Sequence, residues 1–208
     1  MGAEAKICGL TRAGDAALAV ELGASWLGVV FAGGPRRVGV AEAREIVRAA
    51  GGVPVLGVFG AGSAEAILQV VDEAGLAGVQ VPFDSPVAVS RTSDTLIHWH
   101  VHRLADARDV DALDGTPPAG AVLVEPRVSG SPGGAGVALD PALALAARMR
   151  LAGRKMALAG GLRPGTVRAA IDLVRPDIVD VSSGVERPGM PGVKDSNLLR
   201  WFLEAVRG

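Results

Sequence analysis

The sequence predicts a single (β/α)8 barrel, in which eight parallel strands are surrounded by helices. Three observations predict this fold: eight short apolar runs recur along the 208 residues, segments with helical spacing separate most of them, and no linker or shift of composition divides the chain. Each unit then has about 26 residues, which is enough for one strand and its crossover helix. An open doubly wound sheet is the alternative, but such sheets usually have about six strands and would leave two runs unexplained.

The predicted strands are the apolar runs that Gly, Pro or polar residues mostly bound. They are expected at Ala5–Cys8, Trp26–Phe31, Val53–Phe59, Gly78–Val81, Thr95–His102, Ala121–Glu125, Lys155–Ala159 and Ile178–Ser182. Most of them lack strict alternation of apolar and polar residues. This is typical of parallel strands that are covered on both faces.

The predicted helices are the segments whose apolar residues recur every three or four positions. They are expected at Arg12–Leu22, Ala41–Ala50, Ala64–Ala74, Pro141–Leu151, Gly165–Val174 and Ser196–Arg207, with two less periodic segments near 85–93 and 104–113. Asp195 directly precedes the last helix. Its side chain is therefore predicted to accept hydrogen bonds from the first free amides of that helix.

The composition argues against several classes of protein. Lys and Arg number 21 against 22 Asp and Glu, so the chain lacks the basic excess of a nucleic-acid or anionic-membrane binder. A single cysteine excludes an internal disulfide and a cysteine-based zinc cluster. No apolar run approaches the ~20 residues of a membrane span, and the N-terminus has no secretion signal. We therefore expect a cytoplasmic protein.

Candidate catalytic residues follow from the fold, because active sites of such barrels lie at the carboxyl ends of the strands. Cys8 ends the first predicted strand, Arg36 follows the second, and Glu125 ends the sixth. A carboxylate after the apolar run of the sixth strand is costly to bury without a partner or a function. A lone cysteine in an apolar strand is more often an inert core residue. Two adjacent arginines, here Arg36 and Arg37, are more often part of a solvated surface.

The ends of the seventh and eighth strands predict a phosphate site. Gly160 and Gly161 follow the seventh strand, whereas Ser182, Ser183 and Gly184 follow or end the eighth. Small residues leave backbone amides accessible, and barrel loops use such amides to bind phosphate. An ordinary turn is the alternative interpretation of the two adjacent glycines.

All three histidines lie in the fifth predicted strand. Strand alternation places His98, His100 and His102 on one face. They could be a metal or acid–base cluster, a polar barrel lining, or solvent-facing residues. Zinc needs three or four converging ligands, which one strand rarely supplies, so we predict no metal.

Seven short sequence motifs, distributed over most of the chain, together indicate a protein family. They are Lys6–Thr11 (KICGLT), Gly23–Phe31, Pro35–Val38, Gly133–Gly136 (GGAG), Leu158–Leu162, Val179–Glu186 (VDVSSGVE) and Pro191–Asp195. In this combination the chain resembles the phosphoribosylanthranilate isomerase family of tryptophan biosynthesis. The resemblance implies a (β/α)8 barrel that needs no metal or organic cofactor. It also implies the Amadori rearrangement of N-(5-phosphoribosyl)anthranilate to 1-(2-carboxyphenylamino)-1-deoxyribulose 5-phosphate.

The resemblance also implies roles for individual residues. Cys8 takes the place of the general base, Glu125 stands in the position of the general acid, and Arg36 would hold the anthranilate carboxylate. The other positions that the resemblance assigns to substrate binding are Gly133, Gly134, Gly160, Gly161, Ser182, Ser183 and Gly184. Among them, the amides near Gly161 and Ser183 would hold the phosphate.

Three departures from the family pattern keep other functions open. Glu125 replaces the usual aspartate, Val79–Phe83 lacks the histidine of the family's VQLHG, and the fifth strand carries three histidines. One of these histidines could replace the missing one. The alternatives are a paralogue that acts on another phosphoribosylated amine or aromatic, and a catalytically silent binding barrel. The sequence does not decide the oligomeric state.

Overall fold

The computed structural model describes residues 2–60, 62–85, 96–117, 120–128 and 136–208. Its eight parallel strands form a closed barrel in which each strand pairs with the next and the last pairs with the first. The strands are β1 (Glu4–Ile7), β2 (Trp26–Val30), β3 (Val55–Val58), β4 (Gly78–Pro82), β5 (Ile97–Leu104), β6 (Ala121–Pro126), β7 (Met156–Leu158) and β8 (Ile178–Val181). The predicted fold class is confirmed.

Helices follow most strands and lie outside the barrel. They are α1 (Ala13–Glu21), α2 (Val40–Ala49), α3 (Ala64–Ala74), α4 (Ala107–Asp111), α5 (Pro141–Arg150), α6 (Pro164–Val174) and α7 (Ser196–Arg207), with short 3-10 helices at Ala112–Gly115 and Ser183–Val185. Most of the segment predicted near 85–93, and Thr95 at the start of the fifth predicted strand, lie outside the described residues. No helix among the described ranges is long and apolar enough to cross a membrane.

Several strands end one residue earlier than predicted, and the difference positions the site. Cys8 follows β1, yet its amide still donates to the Val181 carbonyl at 2.8 Å. Likewise the Ala159 amide, just after β7, donates to Val124 at 2.9 Å. Each of these residues therefore continues the hydrogen bonding to one neighbouring strand only, and the chain then turns over the mouth of the barrel.

Helix α7 shows why these sequences form amphipathic helices. Leu199, Phe202, Leu203 and Val206 are buried at helical spacing, whereas Trp201 on the same helix is 53% exposed. The helix begins where Asp195 Oδ1 accepts hydrogen bonds from the amides of residues 197 and 198 at 2.9 and 3.1 Å. The predicted N-terminal cap is confirmed.

The barrel interior holds two packed tryptophan rings among aliphatic side chains, with a charged layer next to them. Trp99 is fully buried, and its ring centre lies 5.1 Å from that of Trp26. The Lys6 Nζ atom lies 5.7 Å from the Trp99 ring centre and 2.9 Å from Asp180 Oδ1. A buried ion pair therefore separates the aromatic layer from the mouth of the barrel, where Cys8 lies.

Candidate active site

A cavity of about 570 Å³ opens at the carboxyl ends of the strands. Its size is typical of a small-molecule site. The sequence-predicted residues that line it are Cys8, Arg36, Glu125, Gly160, Gly161, Ser182, Ser183 and Gly184. Gly133 and Gly134 lie outside the described residues. The structure thus brings together side chains that the sequence separates by more than 100 residues.

Cys8 lines this cavity, and the residue is 7% exposed. The next residue, Gly9, has φ = +66°, and a Cβ there would lie 2.6 Å from both Arg36 Cδ and Ser182 Oγ. Only glycine fits this turn without displacing either neighbour. Burial raises the pKa of the Cys8 thiol above its ordinary value, although Lys6 opposes the shift.

Glu125 faces Arg103 across the cavity wall. The Arg103 Nε atom donates to Glu125 Oε1 at 2.9 Å, and both side chains line the cavity. Burial raises the pKa of Glu125, and Arg103 opposes this increase without cancelling it. Sequence analysis missed Arg103, although its position two residues after Val101 and four after Trp99 places it on the inward face of β5.

The three histidines do not lie in the cavity, and this corrects the expectation of a polar barrel lining or an auxiliary catalytic role. Trp99, Val101 and Arg103 point into the barrel. Because side chains alternate along a strand, the even-numbered residues of β5 face the helix layer. The described residues include no group of three or more His, Cys, Asp or Glu able to hold a metal. The histidines to which this correction applies are His98, His100 and His102.

His102 shows what this outer face does. Its Nε2 atom lies 2.7 Å from Thr116 Oγ1, and its ring stacks on Phe83 with the centres 4.1 Å apart. The Thr116 hydroxyl donates to the Leu113 carbonyl at 2.7 Å, so His102 Nε2–H is the donor to that hydroxyl. His102 therefore fastens β5 to the segment that follows the 3-10 helix at 112–115.

Arg36 is held by a carboxylate that sequence analysis did not select. Its Nε and Nη2 atoms donate to the two oxygens of Glu186, both at 2.8 Å. Glu186 Oε1 also accepts from the Gly192 amide and from Lys194 Nζ, both at 3.0 Å. Burial alone would raise the pKa of Glu186, but the bonds from Arg36 and Lys194 lower it to about 2. The signal was its place at the end of the VDVSSGVE motif.

The loops after β7 and β8 meet at glycines that tolerate no side chain. Gly160 and Gly161 have φ values of +98° and +61°, and a Cβ on Gly161 would lie 2.6 Å from the Ala138 amide nitrogen. A Cβ on Gly184 would lie 1.9 Å from the Leu162 carbonyl oxygen. Among the described residues, neither the Gly161 amide nor the Ser183 amide donates a backbone hydrogen bond outside those of the helices and strands. This arrangement can bind a phosphate.

Comparison with known proteins finds a family model and curated relatives that carry the same description. A family model described as N-(5'-phosphoribosyl)anthranilate (PRA) isomerase matches residues 5–205. The N-(5'-phosphoribosyl)anthranilate isomerase of Roseiflexus castenholzii is 38% identical, with 97% of each chain covered. That of Thermotoga neapolitana is also 38% identical, with 98% of each chain covered.

Solved structures agree with the sequence relatives. The chain superposes on phosphoribosyl anthranilate isomerase from Thermotoga maritima with a TM-score of 0.86 at 32% identity, covering 99% of each chain. It superposes equally widely, with a TM-score of 0.84 and 32% identity, on a phosphoribosyl anthranilate isomerase in complex with reduced 1-(o-carboxyphenylamino)-1-deoxyribulose 5-phosphate. The similarity extends over the whole barrel.

Proposed function

The chain belongs to the N-(5'-phosphoribosyl)anthranilate isomerase family, and we propose that it converts N-(5-phosphoribosyl)anthranilate to 1-(2-carboxyphenylamino)-1-deoxyribulose 5-phosphate. The observation that carries this proposal is one cavity that holds a thiol, a carboxyl group, an anchored arginine and glycine-rich strand ends. A related isomerase has been crystallised with the reduced product. We place the reaction in the cytoplasm, because the charge of a phosphorylated sugar keeps it from crossing membranes.

The first step needs an acid, and Glu125 is the proposed one. Its carboxyl group protonates the ribose ring oxygen, the bond from that oxygen to C1 breaks, and the anthranilate nitrogen stabilises C1 as an iminium ion. Burial favours the protonated carboxyl group, which is the form this step requires. Since Arg103 donates to Oε1, the proton is carried on Oε2.

The second step needs a base, and Cys8 is the proposed one. Its thiolate removes the proton from C2 and an S–H bond forms. The C2–H electron pair makes the C1–C2 double bond of an enolamine, while the π pair of the C1–N bond moves to the nitrogen and neutralises the iminium charge. Tautomerisation of the enolamine then gives the ketone. The overall change is an internal transfer of hydrogen, so no external oxidant or reductant is required.

Arg36 and the glycine-rich loops bind the two anionic ends of the substrate. Glu186 occupies the Nε side of the Arg36 guanidinium, which presents the Nη1–Nη2 edge to a carboxylate. The phosphate binds at the amides near Gly161 and Ser183. The substrate is thus held at both ends with the ribose between Cys8 and Glu125.

The test is a fluorescence assay in which a phosphoribosyltransferase generates the substrate from anthranilate and phosphoribosyl pyrophosphate. We expect the purified protein to remove the substrate signal. A folded protein without turnover contradicts the proposal. If sugar phosphates at tenfold excess over their dissociation constant still stabilise that protein by about 1.4 kcal/mol, it is a binding barrel or acts on another substrate.

A second candidate substrate is another phosphoribosylated amine or aromatic. The observation in its favour is Arg103, which adds a cationic donor beside Glu125 inside the cavity. An amine that carries an additional anionic group would suit this position. Comparing kcat/KM for such amines with that for phosphoribosylanthranilate distinguishes the two candidates.

A further inference from the structure

The proposed reaction gives no role to the buried ion pair below the cavity. Lys6 is fully buried, and its Nζ atom lies 2.9 Å from Asp180 Oδ1. Asp180 itself lines the cavity. A buried ion pair loses much of its Coulombic attraction to desolvation and is a poor source of stability compared with apolar packing. Its presence next to the proposed base therefore calls for a chemical explanation.

Lys6 and Cys8 lie side by side because they are two residues apart at the end of β1 and point the same way. Gly28 on β2 makes room for both side chains. A Cβ placed on Gly28 would lie 2.9 Å from Cys8 Sγ and 3.0 Å from Lys6 Nζ. The sulfur and the ammonium nitrogen are therefore no more than about 6 Å apart, with no side chain from Gly28 between them.

Four charged groups face the Cys8 thiol. Besides Lys6 on β1, they are Asp180 on β8, Lys194 before α7 and Arg36 after β2. Burial is the largest influence on the thiol and disfavours the thiolate; Lys6 is the strongest group that favours it, and Asp180 opposes Lys6. Burial would also neutralise Lys6, but Asp180 and Cys8 reverse that effect and raise the pKa of Lys6.

We propose that Lys6 is a positioning residue for the base: its buried ammonium stabilises the Cys8 thiolate, and Asp180 keeps that ammonium charged and fixed beneath the sulfur. When Cys8 takes the C2 proton, the sulfur loses its negative charge, and Asp180 remains as the counterion of Lys6. This inference deepens the proposed function and rests on it for the role of Cys8. The effect of Lys6 on the thiol is measurable without any substrate.

The chain is well suited to that measurement. It contains one cysteine and no tyrosine, so both the ultraviolet absorbance of the thiolate and alkylation by iodoacetamide report on Cys8 alone. Lys6→Met leaves Asp180 buried without a partner and endangers folding. The main variant is therefore the double change Lys6→Met/Asp180→Asn, which removes both charges. Lys155→Met is the matched control, because Lys155 is half exposed and its ion-pair partner among the described residues is Glu4, at 3.7 Å.

We expect the double variant to raise the thiol pKa, because Lys6 lowers that pKa more strongly than Asp180 raises it, and to slow alkylation at pH 7 at least about threefold. The rising limb of its kcat–pH profile should move up by the same amount, with little change in KM. Lys155→Met should leave alkylation as in the wild type. An unchanged alkylation rate in the double variant overturns the inference. If the wild type shows no isomerase turnover, the proposed function fails while the alkylation result still decides this inference.

Discussion

At the scale of single residues, Glu125 and Arg103 occupy neighbouring strands and face the same cavity. Glutamate reaches about one methylene further than the aspartate that the family usually has. In this chain the carboxyl oxygen Oε1 accepts a hydrogen bond from Arg103 Nε at 2.9 Å. The pair therefore fixes the longer side chain and also opposes the protonation that an acid requires.

Replacing Arg103 tests this opposition. Arg103 lowers the pKa of Glu125, so Arg103→Met should raise that pKa and keep the acid protonated to higher pH. The falling limb of the kcat–pH profile should then move to higher pH. Arg168→Met, at an exposed arginine that pairs with Asp172 outside the cavity, is the control. A limb that stays in place or moves to lower pH would show that Glu125 is not the titrating acid.

Glu186 gives a prediction about substrate binding. Glu186→Gln removes the charge that orients Arg36 and leaves Lys194 buried beside a neutral amide. We expect KM to rise at least about tenfold, since bidentate binding of a carboxylate depends on guanidinium geometry, with a smaller change in kcat. Steady-state kinetics measures both constants. Glu45→Gln at an exposed site serves as the control, and an equal KM in the two variants would contradict the assignment.

At the scale of single elements, β5 shows what periodicity can and cannot decide. Alternation correctly grouped the three histidines on one face. It did not say which face fills the barrel, because aromatic residues and histidines both occur in barrel interiors and beneath helices. Trp99 settles the question by packing against Trp26 inside the barrel, and Arg103 then shares its side. The role of Glu186 was equally hidden, since it depends on a long-range contact with Arg36.

The outer face of β5 predicts how stability depends on pH. Burial and the nearby cations lower the pKa of His102 from 6.5 to about 4 in the folded protein. As the pH falls below 6.5, the unfolded chain binds the proton first, so stability is full above 6.5 and is lost down to about 4. The loss amounts to about 3 kcal/mol. The titratable and charged groups facing His102 are His100, Arg154, Asp84 and Asp109.

Urea unfolding at pH 7.5 and at pH 4.5 measures this effect. The wild type should lose more free energy of unfolding between these pH values than His102→Gln, whose side chain does not titrate. The quantity to compare between the two proteins is the change in the free energy of unfolding from pH 7.5 to pH 4.5. The packing cost of the substitution is present at both pH values and therefore cancels in this difference. An equal loss in both proteins would assign the acid sensitivity to other groups.

At the scale of the whole molecule, the barrel was predictable because each unit repeats the same local signals. Apolar runs recur eight times, segments with helical spacing and turn residues separate most of them, and a parallel sheet of that length closes on itself. The position of the site followed from closure, since it brings all strand ends to one mouth. The pairings Lys6–Asp180, Arg36–Glu186 and Arg103–Glu125 did not follow, because they depend on side-chain contacts across strands.

The central claim is that Cys8 and Glu125 perform acid–base chemistry on a phosphoribosylated amine inside this cavity. The most direct test is kcat with phosphoribosylanthranilate for the wild type, Cys8→Ala and Glu125→Ala. Each general acid or base typically contributes ~10²–10⁴-fold, so we predict that each substitution lowers kcat by at least about 100-fold. Near-normal turnover in either folded variant would contradict the account.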